Sequence, residues 1–110
     1  MKGNYQAAFI VPKGASKVLG EDGWEFNSVG RLPGSVGDYL VRYLGLEFVG
    51  DYFGIRRYTS NQINMSIFFD SADQIESIYF QVFYGAIISF SEACESEEVT
   101  SCAEIFIPER

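Results

Sequence analysis

Histidine is absent from the 110 residues. With it go the commonest general acid and base, the commonest metal ligand and every Ser-His or Cys-His nucleophile pair. Cysteine is nearly absent as well: Cys94 and Cys102 stand with seven residues between them, outside any C-x-x-C spacing. Two thiols without histidine cannot build a zinc site. In a reducing compartment they are free thiols, while an oxidising one leaves a bridge open. No apolar run is long enough to span a bilayer. The stretch Ala7-Ala8-Phe9-Ile10-Val11 ends at Pro12, too short for a secretory core, so no cleavable leader is expected and the cytoplasm is the expected compartment. Gly30-Arg31-Leu32-Pro33-Gly34-Ser35 matches neither a P-loop nor G-x-G-x-x-G. No metal, no cofactor and no enzymatic activity are expected.

Positive charge is scarce, and unevenly so. From Met1 to Arg57 seven basic residues (Lys2, Lys13, Lys17, Arg31, Arg42, Arg56, Arg57) face six acids. From Tyr58 to Arg110 nine acids (Asp70, Asp73, Glu76, Glu92, Glu95, Glu97, Glu98, Glu104, Glu109) face Arg110 alone. The second half therefore carries the excess behind the net charge of −7. A field of that sign repels nucleic-acid phosphates and anionic lipid, and it attracts basic proteins. Solubility alone also accounts for a charge of about 2 to 8 on a small domain.

What the sequence has is apolar and aromatic residues in alternation. Its length suits one globular domain, residues 1–110, which buries between ~60% and ~70% of its unfolded surface and needs no staple. Tyr5, Ala7, Phe9 and Val11 share a face of a first strand, and Gly20-Glu21-Asp22-Gly23 turns a short hairpin between Lys17-Val18-Leu19 and Trp24-Glu25-Phe26. Val36, Tyr39, Leu40, Tyr43 and Leu44 recur at helical spacing, with Ser35 as N-cap and Gly45 as stop. Strands follow at 46–49, 55–59 and 63–69. Residues 77–91 carry no charge and have rings on both faces of the alternation, as a central strand covered on both sides would. A last strand runs from Val99 to Ile107 and stops at Pro108. The expected class is α+β, a mostly antiparallel sheet of five or six strands with one short helix on one face, the alternative being a small all-β barrel.

Three charged constellations stand out. Asp70, Asp73 and Glu76 cluster in a turn but fail the EF-hand pattern of alternate acids with a glycine at the sixth position. Arg56 and Arg57 precede Tyr58; on a strand they point to opposite faces, so one at most joins a given surface. Ion pairing with the acidic half competes there with binding of a carboxylate or a base. Glu92, Glu95, Glu97 and Glu98 fall within seven residues, beside Phe90 and near Phe106. That segment reads either as a docking surface steering toward a basic groove, with the rings as anchors, or as a loop whose charge guards the strands against edge pairing.

In size, acidity, lack of catalytic machinery and an aromatic-rich α+β body, the chain resembles the small acidic immunity proteins of bacterial contact-dependent and polymorphic toxin systems. The resemblance is one of style; neither Gly34-Ser35-Val36-Gly37-Asp38-Tyr39 nor the Glu92 to Glu98 segment is a family signature. It implies a cytoplasmic antitoxin that binds one cognate toxin, often a basic nuclease, tightly and without catalysis. Glu92, Glu95, Glu97, Glu98, Asp70, Asp73, Glu76 and Glu104 are the partner-binding candidates, with no direct nucleic acid and no membrane as partner. Two alternatives are a homodimer formed through residues 77–91 and a small carboxylate-based enzyme or ligand-binding domain.

Overall fold

Alternation of apolar residues gives most of the chain its strands. The computed structural model describes residues 5–108. In chain order these form β1 (Tyr5–Pro12), β2 (Ser16–Gly20), β3 (Gly23–Asn27), α1 (Gly34–Leu44), β4 (Glu47–Tyr52), β5 (Ile55–Thr59), β6 (Ile63–Phe69) and β7 (Ile75–Phe83). A 3-10 turn at Tyr84–Ala86 leads into α2 (Ile87–Cys94), α3 (Glu97–Thr100) and β8 (Ala103–Phe106). The main sheet has the order β4-β5-β6-β7-β1-β8, antiparallel throughout, and β2 pairs only with β3. The fold is α+β with a mostly antiparallel sheet. Because β4 and β8 are free outer edges, the sheet is open and the barrel alternative does not hold.

One face of the sheet is apolar and lies under the helices. Ala8 and Ile10 of β1, Ile63, Met65 and Ile67 of β6, and Ile78, Phe80 and Val82 of β7 are buried against Val36 and Leu40 of α1, Phe90 and Ala93 of α2 and Val99 of α3. Burial of this kind contributes ~25 cal/mol per Å² of apolar surface. Gly37 lets α1 sit close, since a Cβ there would come within 3.3 Å of Ile67 Cδ1. The other face is covered over half its width by the β2–β3 hairpin. Phe26 lies 4.9 Å from Phe9 and Trp24 lies 4.7 Å from Phe106, centroid to centroid. The expected β1 face of Tyr5, Ala7, Phe9 and Val11 is this hairpin-side face, not the helix-side one.

Four expectations are corrected. Residues 77–91 are not one strand: β7 ends at Phe83, and the chain turns into α2. β7 is paired on both edges, to β6 and to β1, and lies under helices on one face. The acidic segment is not a loop but the end of α2 and the start of α3, and the last strand is only Ala103–Phe106. Three helices therefore stand where one was expected. Ser35 does not cap α1; Pro33 occupies the cap position, with no side-chain hydrogen bond, and its extended backbone (φ −66°, ψ 149°) directs the chain into the helix. Gly45 does end it, at φ 66°.

Candidate functional site

The eight candidate acids occupy three separate places, and three of them are paired with cations that hold the fold. Asp70 closes the β6–β7 turn. Its Oδ1 accepts from the backbone N–H groups of Ala72 (2.8 Å) and Gln74 (2.9 Å), and its Oδ2 accepts from Arg31 Nε at 2.8 Å. The Arg31 bond above all, then those two amides, hold its carboxyl below the usual range. Arg31 also reaches Glu76 at 3.8 Å and donates to the carbonyls of Ser28 and Gly30, so one guanidinium pins the 28–32 loop to this turn. Asp73 stands in the same turn, exposed and at φ 62°, a left-handed position that aspartate tolerates.

Glu104 lies on the hairpin side of β8. Its Oε2 accepts from the Gly14 amide (2.9 Å) and from Lys17 Nζ (3.2 Å), tying β8 to the β1–β2 connection. Those two bonds, in that order, lower its carboxyl. Asp70, Glu76 and Glu104 are thus each matched to a cation of the first half of the chain.

Glu92, Glu95, Glu97 and Glu98 differ. All four are exposed, and among the described residues none forms an ion pair. Glu92 follows exposed Ile88 by one turn of α2, and Glu95 follows α2 directly, so Ile88, Glu92 and Glu95 rise along one side. Ser96 begins α3: its Oγ accepts from the Glu98 amide at 3.2 Å and donates to Glu98 Oε1 at 2.7 Å. Tyr43 of α1, its ring tilted against that of Tyr39 at 5.6 Å between centroids, donates to Glu92 Oε1 at 3.5 Å. Desolvation first and the Glu92 charge second raise the Tyr43 phenol.

The rings flanking this corner are therefore Tyr39 and Tyr43, not Phe90 and Phe106. Phe90 is buried 4.8 Å from Phe80, and Phe106 is part of the aromatic cluster on the opposite side of the sheet. The helical spacing of Ile87, Phe90 and Ala93 was the available signal.

A cleft of about 630 Å³ lies between the start of α1 and β5–β6, lined by Arg31, Gly34, Asp38, Arg56, Tyr58 and Asp73 among others. Its two arginines are spoken for: Arg31 as above, and Arg56 by Asp51 at 2.8 Å and by the Phe69 ring at 4.9 Å. Arg56 and Arg57 do point to opposite faces, as strand geometry requires. Arg56 stands opposite Ile67 on the helix side and Arg57 opposite Ser66 on the other. Among the described residues no three Cys, Asp or Glu side chains gather as metal ligands, and no helix is long and apolar enough to cross a membrane. Cys94 and Cys102 are both free thiols, and burial pushes the Cys94 thiol up to about 12.

No family model, curated protein or solved structure matches this chain.

Proposed function

We propose that this chain is a non-enzymatic cytoplasmic binding protein of the immunity type, which neutralises a cognate basic toxin by tight association through the α2–α3 corner. The observation that carries the reading is the contrast among its acids. Asp51, Asp70, Glu76 and Glu104 each meet a cation, whereas at this corner four exposed glutamates within seven residues meet none. Unpaired charge of one sign costs a little stability through repulsion, and its benefit is the steering of an oppositely charged partner. Tyr39, Tyr43 and Ile88 beside it supply the apolar contact that charge alone lacks.

The partner is a protein with a basic cleft, whose substrate phosphates the glutamates replace. The same field disfavours nucleic acid and anionic membranes as direct partners. The test begins with the basic protein that co-purifies at equal stoichiometry from the source cell. Association of the purified pair is then followed for the wild type and for the triple variant Glu92→Gln, Glu95→Gln, Glu97→Gln, with Glu98 kept because its carboxylate accepts from the Ser96 hydroxyl that caps α3. The variant should associate roughly tenfold more slowly at low salt and converge with the wild type at high salt. Equal on-rates at low salt would remove the corner from the interface.

A further inference from the structure

The half of the sheet that the β2–β3 hairpin leaves bare is polar, and its polar groups are ordered. Alternation and register place Arg57 of β5 opposite Ser66 of β6, and Ser66 opposite Tyr79 of β7, in one row across three strands. In the next row Thr59 stands opposite Asn64 and Asn64 opposite Gln81. The cleft over these two rows has a volume of about 500 Å³, and Val49 of β4 is part of its lining. That size falls within the ~300–1,000 Å³ typical of small-ligand sites.

The second row is hydrogen-bonded across all three strands. Thr59 Oγ1 donates to Asn64 Oδ1 at 2.6 Å, and Asn64 Nδ2 donates to Gln81 Oε1 at 3.2 Å. Tyr79 and Gln81 share this face of β7, two residues apart, and both line the cleft. Phe9, 4.9 Å away, holds the Tyr79 ring in place.

Arg57 stands one row along, exposed, and among the described residues it forms no ion pair. Gly50, its partner on β4, has no side chain to cover the guanidinium. Asp51, the nearest acid in register, pairs with Arg56, and Glu47 stands opposite Thr59. A guanidinium, a hydroxyl and a phenol therefore line one cleft that has no carboxylate in its lining, in a protein that matches Lys17, Arg31 and Arg56 with acids.

We propose that this cleft is an oxyanion-binding site, in which Arg57, Ser66 and Tyr79 hold the carboxylate or phosphate group of a small organic ligand. Arg57 supplies the charge and a planar two-donor fork. Ser66 and Tyr79 fix the remaining oxygens, and Val49 and the Tyr79 ring contact the body of the ligand. The site lies across the sheet from the α2–α3 corner and does not rest on that corner's role.

The test titrates benzoate and, separately, inorganic phosphate into the full chain at constant ionic strength, with chloride as control, while amide and arginine side-chain resonances are followed. Saturable shifts centred on Arg57, Ser66 and Tyr79 are expected with at least one of the two, and which one saturates assigns the oxyanion. Arg57→Gln, an exposed substitution that leaves the core alone, should weaken that binding by at least ~10-fold, and Tyr79→Phe by roughly 3-fold or more. Non-saturating shifts with both probes, or saturation that survives Arg57→Gln, would overturn the assignment. So would shifts centred on Lys13 or Arg42.

Discussion

Phe53 occupies a backbone position that phenylalanine disfavours, and replacing it with asparagine should stabilise the protein. Tyr52 pairs with Ile55, so Phe53 and Gly54 form a two-residue hairpin loop, with φ of 52° and 80°. Positive φ at both central residues is the primed turn that suits the twist of a hairpin and that Asn-Gly adopts most readily. A Cβ in that region costs ~1–2 kcal/mol, and asparagine recovers most of this through local hydrogen bonding. The opposing loss is the contact of Phe53 with the Tyr52 ring, 4.6 Å between centroids. Phe53 is 88% and Tyr52 62% exposed, so that contact falls at or below the lower end of the ~0.5–1.5 kcal/mol range for aromatic pairs. Phe53→Asn should therefore gain about 0.5–1 kcal/mol, or roughly 3–6 °C in melting temperature. Phe53→Ala separates the two contributions, because it loses the ring and keeps the strain; it should melt at or below the wild type. Urea midpoints with unchanged slope would confirm that the folded state is what changed. If the Asn and Ala variants melt together, the turn stores no strain. If the Asn variant melts below the wild type, the ring contact outweighs the backbone.

Three further outcomes follow from the packing. Asp70 and Glu104 both have carboxyls held below their ordinary values, so their contribution is complete above the unfolded value of about 4 and is lost as pH falls through the folded one. Urea midpoints taken from pH 6 down to pH 3 should fall, and Asp70→Asn should flatten part of that descent while lowering the plateau; an unchanged pH profile would show that the Arg31 contact is absent in solution. Cys94, buried with its thiol pushed up to about 12, should resist alkylation in the native protein at pH 8 and react fully in denaturant, and labelling at the rate of an exposed thiol would refute the packing of α2. Leu40, fully buried where α1 meets the sheet, should cost ~2–5 kcal/mol on replacement by alanine, read as a lower urea midpoint.

The sequence made local elements legible and left their long-range pairing hidden. Period and punctuation agree over α1, where an apolar stripe ends at Gly45, and over β6, where Ile63, Met65 and Ile67 alternate. Agreement fails from Tyr84 to Thr100. Aromatic and branched residues in a run suit a buried strand as well as a buried helix, and α2, only eight residues long, shows barely two turns of its period. The fate of the acids was less legible still. Lys17 meets Glu104 across 87 positions and Arg31 meets Asp70 across 39, pairings set by which strands become neighbours. Composition alone puts all eight candidate acids on equal footing; strand order separates those bound to the fold from those left free at the corner. Arg57 became significant in the same way, through Gly50 and Ser66 standing on either side of it.

Because the two proposed sites lie on opposite faces of the sheet, they should act almost independently, and the small coupling that remains has a defined sign. Removing Arg57 makes the protein more negative, so Arg57→Gln should speed the approach of a basic partner slightly rather than slow it. The triple glutamine variant at the corner should likewise tighten oxyanion binding slightly. The molecule spans 34 × 30 × 28 Å, and the sheet and helical layer stand between the two groups of charges. At physiological ionic strength fields decay over ~8 Å, so each cross effect should stay below about twofold, against the roughly tenfold direct effect on each site. Association of the basic partner measured with Arg57→Gln, beside the corner variant, decides the matter. Were Arg57→Gln to slow association as much as the loss of the glutamates does, the partner would have to contact the polar face of the sheet, and the corner could not be its main point of entry.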